Sequence, residues 1–298
     1  MPAAPESTTP RPSGLLGALG GVGAGAGERD IVRHRHPVRG LLSLGVAFVF
    51  AAVYWGFAVN ENIEWHIVGH YLFDGYILQG LWTTIEITLV GMAVSICGAL
   101  VIALMRMSQS RVIRLIAGIY IFTFRGIPII LLLILVGNLG LFVKRITIGI
   151  PWTDWNAIDK PAATLVTPFV ASIIGLALAG SAYMSEIVRS GLLSVGKGQR
   201  DAAKALGLTG NQTTRFVVLP PALKVIVPPM GNEFISLLKA TAIVAVIGGG
   251  DLLTRAQSIS GVTYRTIEML LVASFWYFVV VAVLTVLQTV LEQRIRER

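Results

Sequence analysis

Five polar side chains stand in otherwise apolar stretches, and their types suggest what they would bind. Asn232, Ser236 and Lys239 are spaced four and three apart, so on a helix they share one face. Glu233 lies about 100° around from Asn232. Nine residues of helix separate Lys224 from Glu233, a rise of about 13.5 Å, which approaches the middle of a hydrocarbon layer about 30 Å thick. An acid and a base beside one pathway suit a zwitterion, whose ammonium and carboxylate groups need opposite partners. Glu86, about 9 Å along a helix from Gly80, is a further candidate. Ionisable groups at such depth are costly and are functional candidates by default. The same groups would also serve to pair helices or subunits, and Lys239 is long enough to snorkel towards an interface. Pro228 and Pro229, just before this cluster, would bend the helix or free backbone carbonyls beside it.

Other chemistry is thin. The glycine-rich run from Gly14 to Gly27 is not followed by Gly-Lys-Ser/Thr, so it does not read as a phosphate loop. His66 and His70 could share a helix face, but a metal site needs more ligands than two. No metal set is expected. Cys97 is the single cysteine and lies in an apolar run, so no intrachain disulfide can form.

The elements that must position these groups follow from composition. Of the 298 residues, 54% are hydrophobic and 13% charged, with a mean hydropathy of +0.74. A soluble domain could not hide that much apolar surface, so lipid must solvate part of it. The net charge of +8 then reads as Lys and Arg gathered on the cytoplasmic side of a membrane, not as a nucleic-acid surface. Runs of spanning length predict six transmembrane helices near Leu41–Val59, Gly80–Met105, Leu115–Val143, Pro161–Ile187, Pro221–Ile247 and Met269–Leu291. The third and fifth carry Arg125, and Glu233 with Lys239, and should face protein or water. No alternating barrel pattern occurs, so the fold class is all-α, a polytopic membrane helical bundle.

Residues 1–40 read as a flexible basic cytoplasmic tail containing Arg29, Arg33, Arg35 and Arg39; the first apolar run begins too late for a cleaved signal peptide. Asn60–Gln79 has acids but no Lys or Arg, and its Trp65, Tyr71 and Phe73 suit an outer interface. Basic clusters recur at Arg106–Arg114, at Arg189–Lys224 and at Arg294–Arg298. Alternate loops are therefore basic, which predicts both termini in the cytoplasm.

The most patterned stretch is the basic loop 186–221. Gly198–Leu206 reads as a short helix with Gly207 as a left-handed cap. Thr209 and Gln212 have the capping-box spacing that opens another helix, which Leu219-Pro220-Pro221 should stop before the next span. The product is an elbow whose Ala202, Ala203 and Ala205 leave a thin surface for another protein. Glu186 would anchor the loop through a basic neighbour, and Arg125 and Pro128 would shape the inner part of the third span.

This loop resembles the EAA loop of importers of the ATP-binding cassette superfamily. Asp201-Ala202-Ala203, Gly207, Val217 and Leu219-Pro220 stand at the family spacing, with Asp for Glu and Val for Ile as departures. Glu186–Arg189, Lys197–Gln199, Ala205–Leu208, Phe124–Pro128 and Gly231–Lys239 are similar to the polar amino acid permease branch. Lys239-Ala240-Thr241-Ala242 departs from the branch's frequent Lys-Asp-Thr-Ser. The likeness runs from Trp82 to Arg294 and implies a five-helix permease core (80–294) behind an extra helix and outer segment (41–79). It further implies that the coupling loop, with Gln199, Arg200, Asp201, Ala202, Ala203, Ala205, Leu206, Gly207, Leu219 and Pro220, docks on a separate ATPase dimer. Arg200 and Asp201 would orient that docking. ATP and Mg would be bound by that partner and no cofactor by this chain. A second permease subunit, identical or sibling, and an extracytoplasmic solute-binding protein complete the implied assembly. Solitary channels or secondary transporters would show relays of acids or repeats across several spans. A membrane enzyme would show a nucleophile, base or metal cluster at one depth. Neither pattern stands out.

Overall fold

The computed structural model describes residues 37–149 and 156–297; most of the basic tail, Arg29, Arg33 and Arg35 included, lies outside them. Contacts divide the chain into two units, Met1–Glu61 and Asn62–Arg298. The first contains helix α1 (Pro37–Ala58), which already includes the last four residues expected in the tail. From Leu41 onwards its side chains are exposed throughout, as lipid-facing residues would be.

The second unit holds α2 (Trp65–Leu72), α3 (Gly75–Met107), α4 (Arg111–Gly126), α5 (Ile129–Gly137), the short α6 (Leu139–Phe142) and α7 (Ala162–Leu165). It continues with α8 (Pro168–Leu193), α9 (Lys197–Ala205), α10 (Gly210–Gln212), α11 (Leu219–Ala240), α12 (Leu252–Thr263) and α13 (Thr266–Glu297). Among the described residues five helical stretches are long and apolar enough to cross a membrane, or six if α4 and α5 form one broken span. The helical bundle agrees with the sequence, and the differences lie in how three segments run.

The expected straight span Leu115–Val143 is broken. α4 and α5 meet at 101°, because Pro128 cannot donate into the ladder and forces Ile127 into an extended conformation (φ −81°, ψ 128°). The expected fourth span starts at Pro168, not Pro161, because Asn156–Pro161 (β2) pairs antiparallel with Arg145–Gly149 (β1). This hairpin is the one departure from an all-helical chain among the described residues. It carries an exposed Arg145–Asp159 ion pair, 2.9 Å long, and the guanidinium holds the Asp159 carboxyl below the usual carboxylate range.

Nor does Leu219-Pro220-Pro221 stop the chain. α10 passes without interruption through a π-helical turn (Thr213–Val218) into α11. The wider turn lets the prolines enter at the first positions of α11, where their missing N–H groups are not required. A 3₁₀ turn (Thr241–Ile247) then closes the span.

α3 and α8 form the centre. α3 has 33 residues, about 50 Å at roughly 1.5 Å per residue. The two run in the same direction, with Ile87 near Leu176, Met92 and Ala99 near Met184, and Ala103 near Val188. Their approach depends on small residues: a Cβ on Gly180 would lie 2.6 Å from Ser95 Oγ, and one on Gly98 would lie 2.9 Å from Ser181 Cβ. Lipid supplies little hydrophobic force between spans, so such close packing is what holds them. Gly180→Val should therefore overpack the seam by about 1–3 kcal/mol. The expected result is a lower thermal midpoint and loss of monodisperse protein in detergent; an unchanged melting profile would mean that the seam is looser than drawn.

Candidate functional site

The elbow is built from its caps. α9 ends with Gly207 in the left-handed region (φ 79°). The Gly207 N–H donates to Lys204 O (2.9 Å) and the Leu208 N–H to Ala203 O (3.1 Å), which is a Schellman closure. Two residues on, Thr209 N–H donates to Gln212 Oε1 (2.9 Å) while Gln212 N–H reaches Thr209 Oγ1 (3.4 Å). Both caps are thus formed where the sequence places them, and they fix the angle between α9 and the α10–α11 rod.

Side-chain directions sort the expected docking residues. Gln199, Asp201, Ala202, Ala205, Leu206, Gly207, Leu219 and Pro220 are exposed. Leu206, 83% exposed at the tip, is an apolar side chain standing in the open, as a contact residue for another protein would. Ala203 does not belong with them. It is buried (3% exposed) because the turn of α9 that carries it packs against the π-helical segment. Arg200 also departs from expectation: its Nη2 donates to Leu192 O, so it ties α9 back to the end of α8 and does not project outwards. Glu186 bridges Arg189 (2.7 Å) and Arg106 of α3 (3.9 Å), the anchoring expected of it.

The second candidate group lies on α11. Asn232, Ser236 and Lys239 are exposed on one face and Glu233 is half-buried. Asn232 Oδ1 accepts from Gln288 Nε2 of α13 (3.1 Å), and the same amide donates to Glu292 Oε1 (2.8 Å). Asn232 is therefore paired between helices. Ser236 and Lys239 have no hydrogen bond or ion pair within the described chain. The guanidinium of Arg125 lies 4.9 Å from the centre of the Tyr183 ring. Glu86 accepts a 2.6 Å hydrogen bond from Trp82 of its own helix. The structure thus joins Asn232 to Gln288 and, through it, to Glu292, while Glu86 stands apart.

A cavity of about 750 Å³ between α3, α8, α11 and α13 is lined by Met92, Ile96, Leu100, Val188, Phe234 and other apolar groups, with Gln288 and Glu292 at its edge. None of the α11 candidates lines it. A zwitterion would lose its hydration there without replacement, so this cavity is not a polar ligand's path.

Sequence reasoning missed a buried polar knot. Asp251 is fully buried and caps α12 by accepting from Leu253 N–H (3.0 Å) and from the Thr254 hydroxyl. Burial pushes its carboxyl above the usual range, against these hydrogen bonds. Tyr277 Oη lies 3.5 Å from Asp251 Oδ2 and 3.3 Å from Thr241 Oγ1. Thr84 Oγ1 accepts from the Leu252 N–H (3.0 Å). The available signal was an acid directly before an apolar run and after three glycines, a helix N-cap pattern.

Comparison with known proteins follows the same region. A family model described as the binding-protein-dependent transport system inner membrane component matches residues 95–297. The arginine transport system permease protein of Corynebacterium glutamicum is 36% identical over 260 residues, covering 87% of this chain and 80% of its own. The arginine transport system permease protein of Bacillus subtilis is 34% identical, over 74% of this chain and 93% of its own. A crystal structure of an amino acid ABC transporter with histidines matches with a TM-score of 0.62 and 35% identity, over 74% of this chain and 94% of that one.

The Arg200 tie can be tested by itself. A lost hydrogen bond from a charged donor costs about 1.5–3 kcal/mol. Arg200→Ala should thus speed amide exchange across residues 197–208 by about tenfold or more, whereas Asp201→Ala should leave it unchanged; equal exchange in both variants would remove the tie.

Proposed function

Because the chain belongs to the family of binding-protein-dependent transport system inner membrane components, we propose that it is the permease subunit of an ATP-binding cassette importer for polar amino acids, worked by alternating access. The observation that carries this reading is the double-capped elbow with Leu206 exposed at its tip. It is a stiff lever, and a lever needs fixed geometry more than any catalytic group. A separate ATPase dimer binds ATP and Mg and hydrolyses the nucleotide; this chain is not itself the enzyme. Its partners are those ATPases, a second permease subunit, an extracytoplasmic solute-binding protein and lipid, in the cell membrane with both termini cytoplasmic. Residues 41–79 add a helix and outer segment to the core at 80–294.

Closure of the ATPases pushes α9 through Gln199, Asp201, Ala202, Ala205 and Leu206. Arg200 transmits the push to α8, and Ala203 transmits it to the π-helical turn. The uninterrupted rod from Gly210 to Ala240 carries it to Asn232 and Glu233. Ser236 and Lys239, open on the same side, complete a face that meets the substrate's carboxylate and ammonium groups. The arginine permeases among its relatives and the transporter with histidines support a basic amino acid as cargo. Glu233, half-buried on the same helix, then meets the cationic group of the substrate.

Gly207→Val should abolish ATP-coupled uptake while leaving the protein in the membrane. No atom would crowd the new Cβ, but a β-branched residue does not settle at φ 79°. Normal uptake by that variant, with its partner ATPase reconstituted in vesicles, would sink the lever. Leu206→Cys in a Cys97→Ser background should crosslink to the ATPase subunit, and Ala203→Cys should not. Glu233→Ala should weaken arginine uptake by about tenfold, the scale of one lost charged partner; an unaltered substrate profile would leave Glu233 a packing role only.

A further inference from the structure

Tyr264 is the only described non-glycine residue with positive φ (58°). A bulky side chain in that conformation is a genuine outlier. The backbone is nevertheless held there from both sides. Tyr264 N–H donates to Ser260 O (2.8 Å), Ser260 Oγ meets Thr266 Oγ1 at 3.2 Å, and Arg265 N–H reaches Thr263 Oγ1 (3.4 Å). The Arg265 guanidinium is ion-paired with Glu64, whose own N–H donates to the buried Glu268 carboxylate (3.3 Å). So much support for a turn that glycine or asparagine would make without strain calls for a reason, and strained backbone held by its surroundings clusters at functional positions.

The side chain supplies the reason. Tyr264 is 88% exposed, and Val262 beside it is 80% exposed. The turn joins α12, which at 12 residues is about 18 Å long and too short to cross a core of about 30 Å, to the start of α13. It lies at the end of the bundle opposite the elbow. Next to it opens a recess of about 470 Å³ lined by His66, Ile67, His70, Tyr71, Thr263 and Arg265. An exposed aromatic beside a rim of hydrogen-bonding groups is the make-up of a protein interface, where Tyr and Trp anchor the centre and polar groups surround it. A tyrosine anchored only in lipid headgroups would need neither the fixed turn nor the polar recess.

We propose that the Tyr264 turn, with the adjoining recess, is a docking point for the extracytoplasmic solute-binding protein. This rests on the importer reading above and deepens it by naming the surface. The Tyr264 ring enters a hollow on the binding protein, and His66 and His70 donate to carbonyl or carboxylate groups around that hollow.

The test uses the full permease–ATPase complex in lipid nanodiscs, titrated with the purified, arginine-loaded solute-binding protein of the same host, with ATPase rate as readout. Tyr264→Gly suits the positive φ and so should fold at least as well as the parent. It should leave the basal ATPase rate unchanged and raise the half-stimulating binding-protein concentration by about tenfold or more, the scale of an aromatic anchor. Tyr264→Phe, which keeps the ring, should stay close to the parent. If the parent is stimulated and Tyr264→Gly follows the same curve, the docking point is overturned and the importer reading stands. If no binding protein stimulates the parent, both fall. A photo-crosslinking phenylalanine analogue at position 264 should capture the binding protein; capture of lipid alone would overturn the proposal.

Discussion

Two central helices lie against each other because the residues between them are nearly the smallest available. In lipid, a span gains little by turning one apolar face towards another, so association depends on close contact and its dispersion energy. The α3–α8 seam secures this with Ser95 against Gly180 and Gly98 against Ser181. Ser95 Oγ has no hydrogen-bond partner there, so its size, not its hydroxyl, serves the seam. Other helices of the second unit pack onto this pair. α5 sets Leu133 against Gly175 and Leu176 of α8. α11 packs Leu237 beside Met92 and Met184, and α12 sets Leu252 and Ala256 against Ile77 of α3.

The seam is also where the elbow is attached. The lower end of α8 joins α3 through Glu186 and Arg106 and holds Arg200 through the Leu192 carbonyl. The cluster of Ala103, Val188, Val195, Val218, Ala222 and Ile226 fills the angle between α3, α8 and the base of α11. On the importer reading, force applied to α9 would reach this cluster, which borders the apolar cavity through Val188 and Ile226. The π-helical turn keeps this path helical through two prolines that would otherwise interrupt it.

At the opposite end the bundle is closed by polar groups. Asp251, Thr84, Thr241 and Tyr277 gather α3, the 3₁₀ turn after α11, α12 and α13 around one buried carboxylate, an arrangement that is stable only because its members satisfy one another. Between the two ends, the exposed polar face of α11 points away from the chain's own apolar cavity. Ser236 and Lys239 stand exposed on it.

Sequence by itself determined the membrane class, the number of apolar stretches and both caps of the elbow. These depend on local properties: hydropathy over about twenty residues, a glycine where φ must be positive, and a threonine and glutamine three apart. It also placed Asn232, Ser236 and Lys239 on one face, because helical periodicity requires it. Only the tertiary structure decided that Asn232 pairs with Gln288, that Ala203 and Arg200 turn inwards, and that Asp251 and Tyr277 meet. Those outcomes depend on helices distant in the chain and on rotations about their axes, which no local pattern encodes. The prolines mark the boundary between the two kinds of information. Each announces a lost N–H, but whether the helix bends through 101°, as at Pro128, or continues through a widened turn, as at Pro220, is settled by what packs around it.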